Sequence, residues 1–297
     1  MENRLIIDTS NEVSKGSRAD QYWKEEGFDD FVQFIRPNLI LPKVLNDASN
    51  TAEIMKRFSL NGFNFGNWVT NEDRHNYLGG IVVSLYDLNK ILDFNYNLGF
   101  GVLSVAFGAR GRGKALAHYE PGNKIINITR YNDGEEYKAA RFIATGGMGA
   151  LAHEYAHFLD YFSGEFLDKS DTLFALTGGS ITSRNRTNES GEMRVICDDI
   201  LELIVWETPD KQSNYYKRLI KFLERTDDAG DYYVRRNELF ARWFEAWIGY
   251  ELDNLNVTNK LLTQQKYSSF IYPTFCEIEL VAPLFHKLCK LIKKKIK

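Results

Sequence analysis

Apolar residues recur along the chain with two different periods, and the change of period divides it. From about Asn71, Leu78, Ile81, Val82, Leu85, Leu88 and Leu92 follow at three- and four-residue intervals, the stripe of a helix turned toward a core. The period then shortens. Residues 101–107 read as a strand, and 115–120 and 124–129 flank Pro121-Gly122-Asn123, a hairpin signal. A small antiparallel or mixed sheet is the economical reading. After Gly146 and Gly147 the helical period returns over 148–162 and stops at Ser163 and Gly164. Further helices are predicted near 192–206, 213–224, 236–250 and 277–295. The fold class expected is therefore α+β, a small sheet joined to a largely helical C-terminal half. Residues 1–50, with a helical stretch at 19–35 and turns around Pro37 and Pro42, read as an N-terminal flank.

Composition narrows the class. The chain has 297 residues, a formal charge of −3, 44% hydrophobic and 14% aromatic residues, which excludes disordered and fibrous types. At this length folding buries roughly three quarters of the unfolded surface, so no structural metal or disulfide is needed, and a metal would serve chemistry. Cys197, Cys276 and Cys289 are odd in number and lack CxxC spacing, as in reduced cytosolic proteins. No run of about 18 apolar residues could span a bilayer, and the start lacks a basic segment followed by an apolar one. A cytoplasmic protein is expected, and the Asn-x-Thr triplets at Asn127, Asn185 and Asn256 are then accidental. Near-neutral charge also argues against a nucleic-acid partner, although 287–297 is locally basic.

The chemistry is concentrated in His153-Glu154-Tyr155-Ala156-His157, an HExxH match on a predicted helix. Residues four apart share a helical face, so both imidazoles can reach one Zn²⁺ about 2.0 to 2.1 Å away. Glu154, one position round, can take the proton from a zinc-activated water attacking a carbonyl, which is the chemistry of peptide hydrolysis. A catalytic zinc needs a third protein ligand and an open position. Asp160 and Ser163 occupy the places where an extended motif carries Gly and His, so a downstream carboxylate must serve. Glu238 is the best candidate; Glu202, Glu207 and Glu245 also lie on helical stretches.

Several motifs occur together and in order: Phe65-Gly66-Asn67-Trp68-Val69, the run 107–121 with its Gly-Arg-Gly-Lys, Ile126-Asn127-Ile128-Thr129, Leu151-Ala152-His153-Glu154, and 237–247. Over roughly 58–250 the chain thereby resembles the first large polyvalent protein associated domain of phage and conjugative-element proteins. That resemblance implies a zincin-like metallopeptidase fold with one zinc ion per chain, placed here at 51–252, with 253–297 as a helical extension packed on it. More distantly, 153–161 together with Asn237, Glu238 and Phe244 is similar to the gluzincin catalytic domain of anthrax lethal factor. This likeness implies Glu238 as third ligand and an oxyanion-stabilising hydroxyl from Tyr232 or Tyr233. It also leaves two departures: a long gap between His157 and Glu238, and Arg242 where relatives carry an aspartate bonded to a zinc histidine. Asp160 or Asn237 is then expected to supply that supporting bond.

Rival readings rest on fewer residues. Gly108 to Lys114 fits the outline of a phosphate-binding loop, but Ala115 replaces its Ser or Thr and a strand rather than a helix follows, so no nucleotide is expected. His118, in the hairpin before the metal helix, is a candidate for the substrate cleft, since in zincins the edge strand pairs with an extended polypeptide. The C-terminal amphipathic run reads as a packed helix whose lysines complement its dipole. A catalytically inactive binding module of the same fold is the alternative function.

Overall fold

A computed structural model describes residues 29–40, 45, 50–67, 69, 71–109, 115–129, 147–168, 174–183, 191–226 and 230–296. Within them the fold is α+β, a small mixed sheet with eight α-helices. The chain divides into two compact units, Met1–Leu151 with Leu252–Gln264, and Ala152–Glu251 with Gln265–Lys297.

The first unit holds α1 (Asp29–Ile35), α2 (Thr51–Phe58), β1 (Gly62–Phe65), α3 (Asn71–Leu92), β2 (Ser104–Phe107), β3 (Ala117–Glu120) and β4 (Ile125–Ile128). Asn50 caps α2, its side chain accepting from the Glu53 amide at 3.0 Å. Strand order is β1-β2-β4-β3, parallel between β1 and β2 and between β2 and β4, antiparallel between β4 and β3. The expected hairpin is present as β3 and β4. The sheet as a whole is not antiparallel, because β1, which the sequence pattern did not reveal, reaches β2 only through the long α3 crossover. Strands β2 and β4 are buried along their whole lengths and read as near-continuous apolar runs, the mark of parallel strands covered on both faces. Helix α3 carries the expected stripe, with Leu78, Ile81, Val82, Leu85, Leu88 and Leu92 all buried.

Two expected boundaries are corrected. Residues 252–264 join the first unit, not a C-terminal extension: the Lys260 amide donates to the Ile35 carbonyl at 2.9 Å and Asn259 Nδ2 to Asp87 at 3.0 Å. For the same reason α1 belongs to this unit rather than to a separate flank. Residues 19–28 of the expected helical stretch, and 110–114 of the glycine-rich loop, lie outside the described residues.

The second unit runs through α4 (Leu151–Phe162), a π-helical turn (Ser163–Leu167), α5 (Glu192–Val205), the β5–β6 hairpin (Trp206–Thr208, Lys211–Gln212), α6 (Asn214–Leu223), a 3₁₀ turn (Tyr232–Val234), α7 (Arg236–Asn254) and α8 (Phe275–Lys295). The HExxH helix does not stop at Ser163 and Gly164. It widens into the π turn, where Gly164 lets residues 175–176 lie so close that a Cβ would meet Ala175 at 2.5 Å. Buried Arg194 fastens this packing, donating to the carbonyls of Ala175 at 2.5 Å, Gly164 at 2.9 Å and Asp168 at 3.0 Å. Helix α8 supplies Phe285, stacked on Trp247 at 5.1 Å and beside Phe240 and Phe244 of α7. Cys197, Cys276 and Cys289 are thiols, and burial pushes Cys289 up to about 12. Among the described residues no helix is long and apolar enough to cross a membrane.

Candidate metal centre

Helices α4 and α7 meet the needs of a metal site by turning opposite characters to opposite sides. Leu151, Ala152, Tyr155, Ala156, Phe158 and Leu159 of α4 are buried, as are Leu239, Phe240, Phe244 and Trp247 of α7. The residues left for the remaining faces are His153 and His157 on one helix and Glu238, Arg242 and Glu245 on the other. Spacings of four and three put each set on a single stripe.

These stripes converge. His153 Nε2 lies 3.4 Å from Glu238 Oε2, and His157 Nε2 lies 3.4 Å from Glu238 Oε1. One ligand atom from each of His153, His157 and Glu238 falls within 4.8 Å of the other two. The two nitrogen–oxygen separations end on different oxygens of Glu238, so they bring the three side chains together without fixing a single tetrahedral edge. Glu238 Oε2 is buried with no hydrogen bond of normal geometry, which leaves a carboxylate lone pair available to a cation. The donor set, two imidazoles and a carboxylate, is the one zinc takes, and the residues fit the ion.

Without a metal the same atoms form an ion pair. Burial opposes charge on His153, but hydrogen bonds to Glu238 and Glu245 and the nearby charge of Glu154 outweigh it and raise its pKa to about 10. Burial likewise opposes charge on Glu238, yet His153 and His157 hold its carboxyl well below the usual carboxylate range.

Each expected residue has a definite place. Glu154 is buried, and its charge is felt at both His153 and Tyr232. The segment carrying the two tyrosines is a 3₁₀ turn rather than an extended strand, and it gives them different surroundings. Burial of Tyr232, together with the nearby Glu238 carboxylate, raises its pKa. The Tyr233 ring meets Phe222 edge-on at 5.7 Å and lies 5.2 Å from the Arg242 guanidinium, and its carbonyl accepts from Arg242. Arg242 also brings Nη1 to 3.8 Å from Glu238 Oε2. Of the other candidate ligands, Glu202 is exposed and Glu207 is on β5, paired with Lys211 at 2.7 Å.

Asp160 and Asn237, expected to support a histidine, have hydrogen bonds of their own. Both oxygens of Asp160 are taken by Thr177, whose amide donates at 2.8 Å and hydroxyl at 2.7 Å, so this aspartate anchors the loop after the π turn. Asn237 gives its amide to the Gly179 carbonyl at 3.3 Å, while its side-chain oxygen is buried without a partner. Glu245 brings its Oε2 to 3.5 Å from His153 Nδ1. Glu245 in turn accepts from the Tyr272 hydroxyl at 2.9 Å, a residue that sequence spacing gave no reason to single out. His118 belongs to the first unit, on β3, with Nε2 at 3.3 Å from Glu120.

The family model of large polyvalent protein-associated domain 1 matches residues 225–296. That stretch lies further toward the C-terminus than the expected 58–250, and it includes Tyr232, Glu238, Glu245 and Tyr272 but not the HExxH helix. No curated protein and no solved structure gives a significant match to the chain.

Proposed function

We propose that this chain is a zinc-dependent metallopeptidase of the gluzincin kind, carried by a phage or other mobile element and acting on polypeptides in a cytosol. The observation that supports this most is the meeting of His153, His157 and Glu238, with one ligand atom of each within 4.8 Å of the other two, directly beside Glu154. A zinc ion held by these three would lower the pKa of a coordinated water and polarise a peptide carbonyl. Glu154 accepts the proton of the attacking water and returns it to the leaving amine. The Tyr232 hydroxyl, near enough to Glu238 for that carboxylate to raise its pKa, donates to the oxyanion as it develops. Arg242 balances part of the negative charge gathered around the group.

Metal analysis of the purified chain, followed by mapping of new protein N-termini in cells producing either the natural sequence or Glu154→Gln, tests the proposal. Stoichiometric zinc with termini that vanish in the variant is the expected result. Termini equal in both, or absent from both, reject peptidase activity.

A further inference from the structure

The metal group does not end at its three ligands. His153 has a second carboxylate, Glu245, 3.5 Å from its Nδ1, and Glu245 is itself held from behind. Glu245 is 1% exposed, and Tyr272, on the connection between α7 and α8, donates its hydroxyl to it at 2.9 Å. The connection is fixed from α6. Tyr215 donates to the Ile271 carbonyl at 3.1 Å, and Arg218 donates to the Ser269 carbonyl at 2.8 Å while binding both oxygens of Glu277 at 2.8 Å.

On the metal-centre reading above, we infer that Tyr272 and Glu245 are positioning residues for the metal: Tyr272 fixes Glu245, and Glu245 draws the His153 proton to Nδ1 and leaves Nε2 as the donor facing Glu238 and His157. A histidine so held presents one nitrogen in one orientation, and the carboxylate raises its basicity as a ligand. The Tyr272 hydroxyl meets Glu245 at 2.9 Å, and through that bond it can bear on His153.

A double-mutant cycle on zinc affinity, measured by chelator competition, reads this directly. Glu245→Ala should weaken zinc binding about 10- to 100-fold, the range typical for lost supporting carboxylates. Tyr272→Phe, which removes one hydroxyl, should weaken it about fivefold. Tyr272→Phe added to Glu245→Ala should cause no further loss, and Glu245→Gln, which retains an acceptor for Nδ1–H, should recover part of the affinity. Nitrogen-15 shifts of His153 should change in Glu245→Ala and Tyr272→Phe, with the His157 shifts unmoved. Natural protein that takes up no zinc overturns the metal reading and this inference together. Zinc uptake with affinities unchanged in both single variants, or with additive losses in the double variant, overturns this inference alone.

Discussion

The metal-free protein should lose stability as pH rises from neutral to alkaline values, through His153. Its pKa stands at about 10 in the fold against 6.5 for an ordinary histidine, the net result of burial on one side and the Glu238 and Glu245 carboxylates on the other. A group raised in the folded state contributes fully below its unfolded value. Its contribution is therefore whole below about pH 6.5 and drains away as pH climbs through about 10. At about 1.4 kcal/mol per pH unit the gap caps this contribution near ~5 kcal/mol, and the partner Glu238 reports the same ion pair rather than a second one. Urea unfolding of chelator-treated protein at pH 6 and pH 10, alongside Glu238→Gln, isolates the effect from general alkaline weakening. The natural sequence should exceed the variant by a few kcal/mol at pH 6, and the two should converge at pH 10. A difference that stays constant with pH would refute the reasoning. Zinc has to displace the same proton, so its uptake at pH 7 should release protons, measurable in a weakly buffered solution.

Three further outcomes follow from the geometry. Replacing His153, His157 or Glu238 by Ala should sharply lower bound zinc, whereas Glu202→Ala should leave it intact, as metal analysis of each variant will show. Tyr232→Phe should slow peptide hydrolysis on the order of 100-fold at unchanged zinc content, with Tyr233→Phe near the natural rate; equal effects in steady-state assays would contradict the role proposed for Tyr232. Arg194→Met keeps the aliphatic stem but strands the carbonyls of Gly164, Asp168 and Ala175, a loss of about 3 kcal/mol or more in denaturant unfolding, and under 1 kcal/mol would show that the clamp is idle.

Much of the helical half was legible because its signals are local. The periods over α3, α5, α6, α7 and α8 fall within a residue or two of the observed bounds, apart from α7, which runs four residues longer than expected. Strand β1 was not legible, since four residues, Gly62 to Phe65, carry no period and owe their form to pairing with β2 some forty residues later. The stop at Ser163 and Gly164 misled for a related reason. Gly164 is there for the close approach of residues 175–176, a tertiary demand that single-chain propensity reads as a break.

The site was legible to the same depth. The HExxH spacing alone places two nitrogens on one helical face, but the choice among downstream carboxylates could not be made by period, because Glu238 and Glu245 are seven apart and share a face of α7. Position along that helix decides it: Glu238, in the first turn, reaches both histidines, while Glu245, two turns on, reaches only the far nitrogen of His153. The consequence is electrostatic. Glu154, Glu238 and Glu245 are each 7% exposed or less, and Arg242 is the fixed cation beside Glu238. Buried carboxylates in that number need positive charge close by, and the proton on His153 supplies one unit of it. On the proposed function, a divalent ion at the same three ligands would supply two.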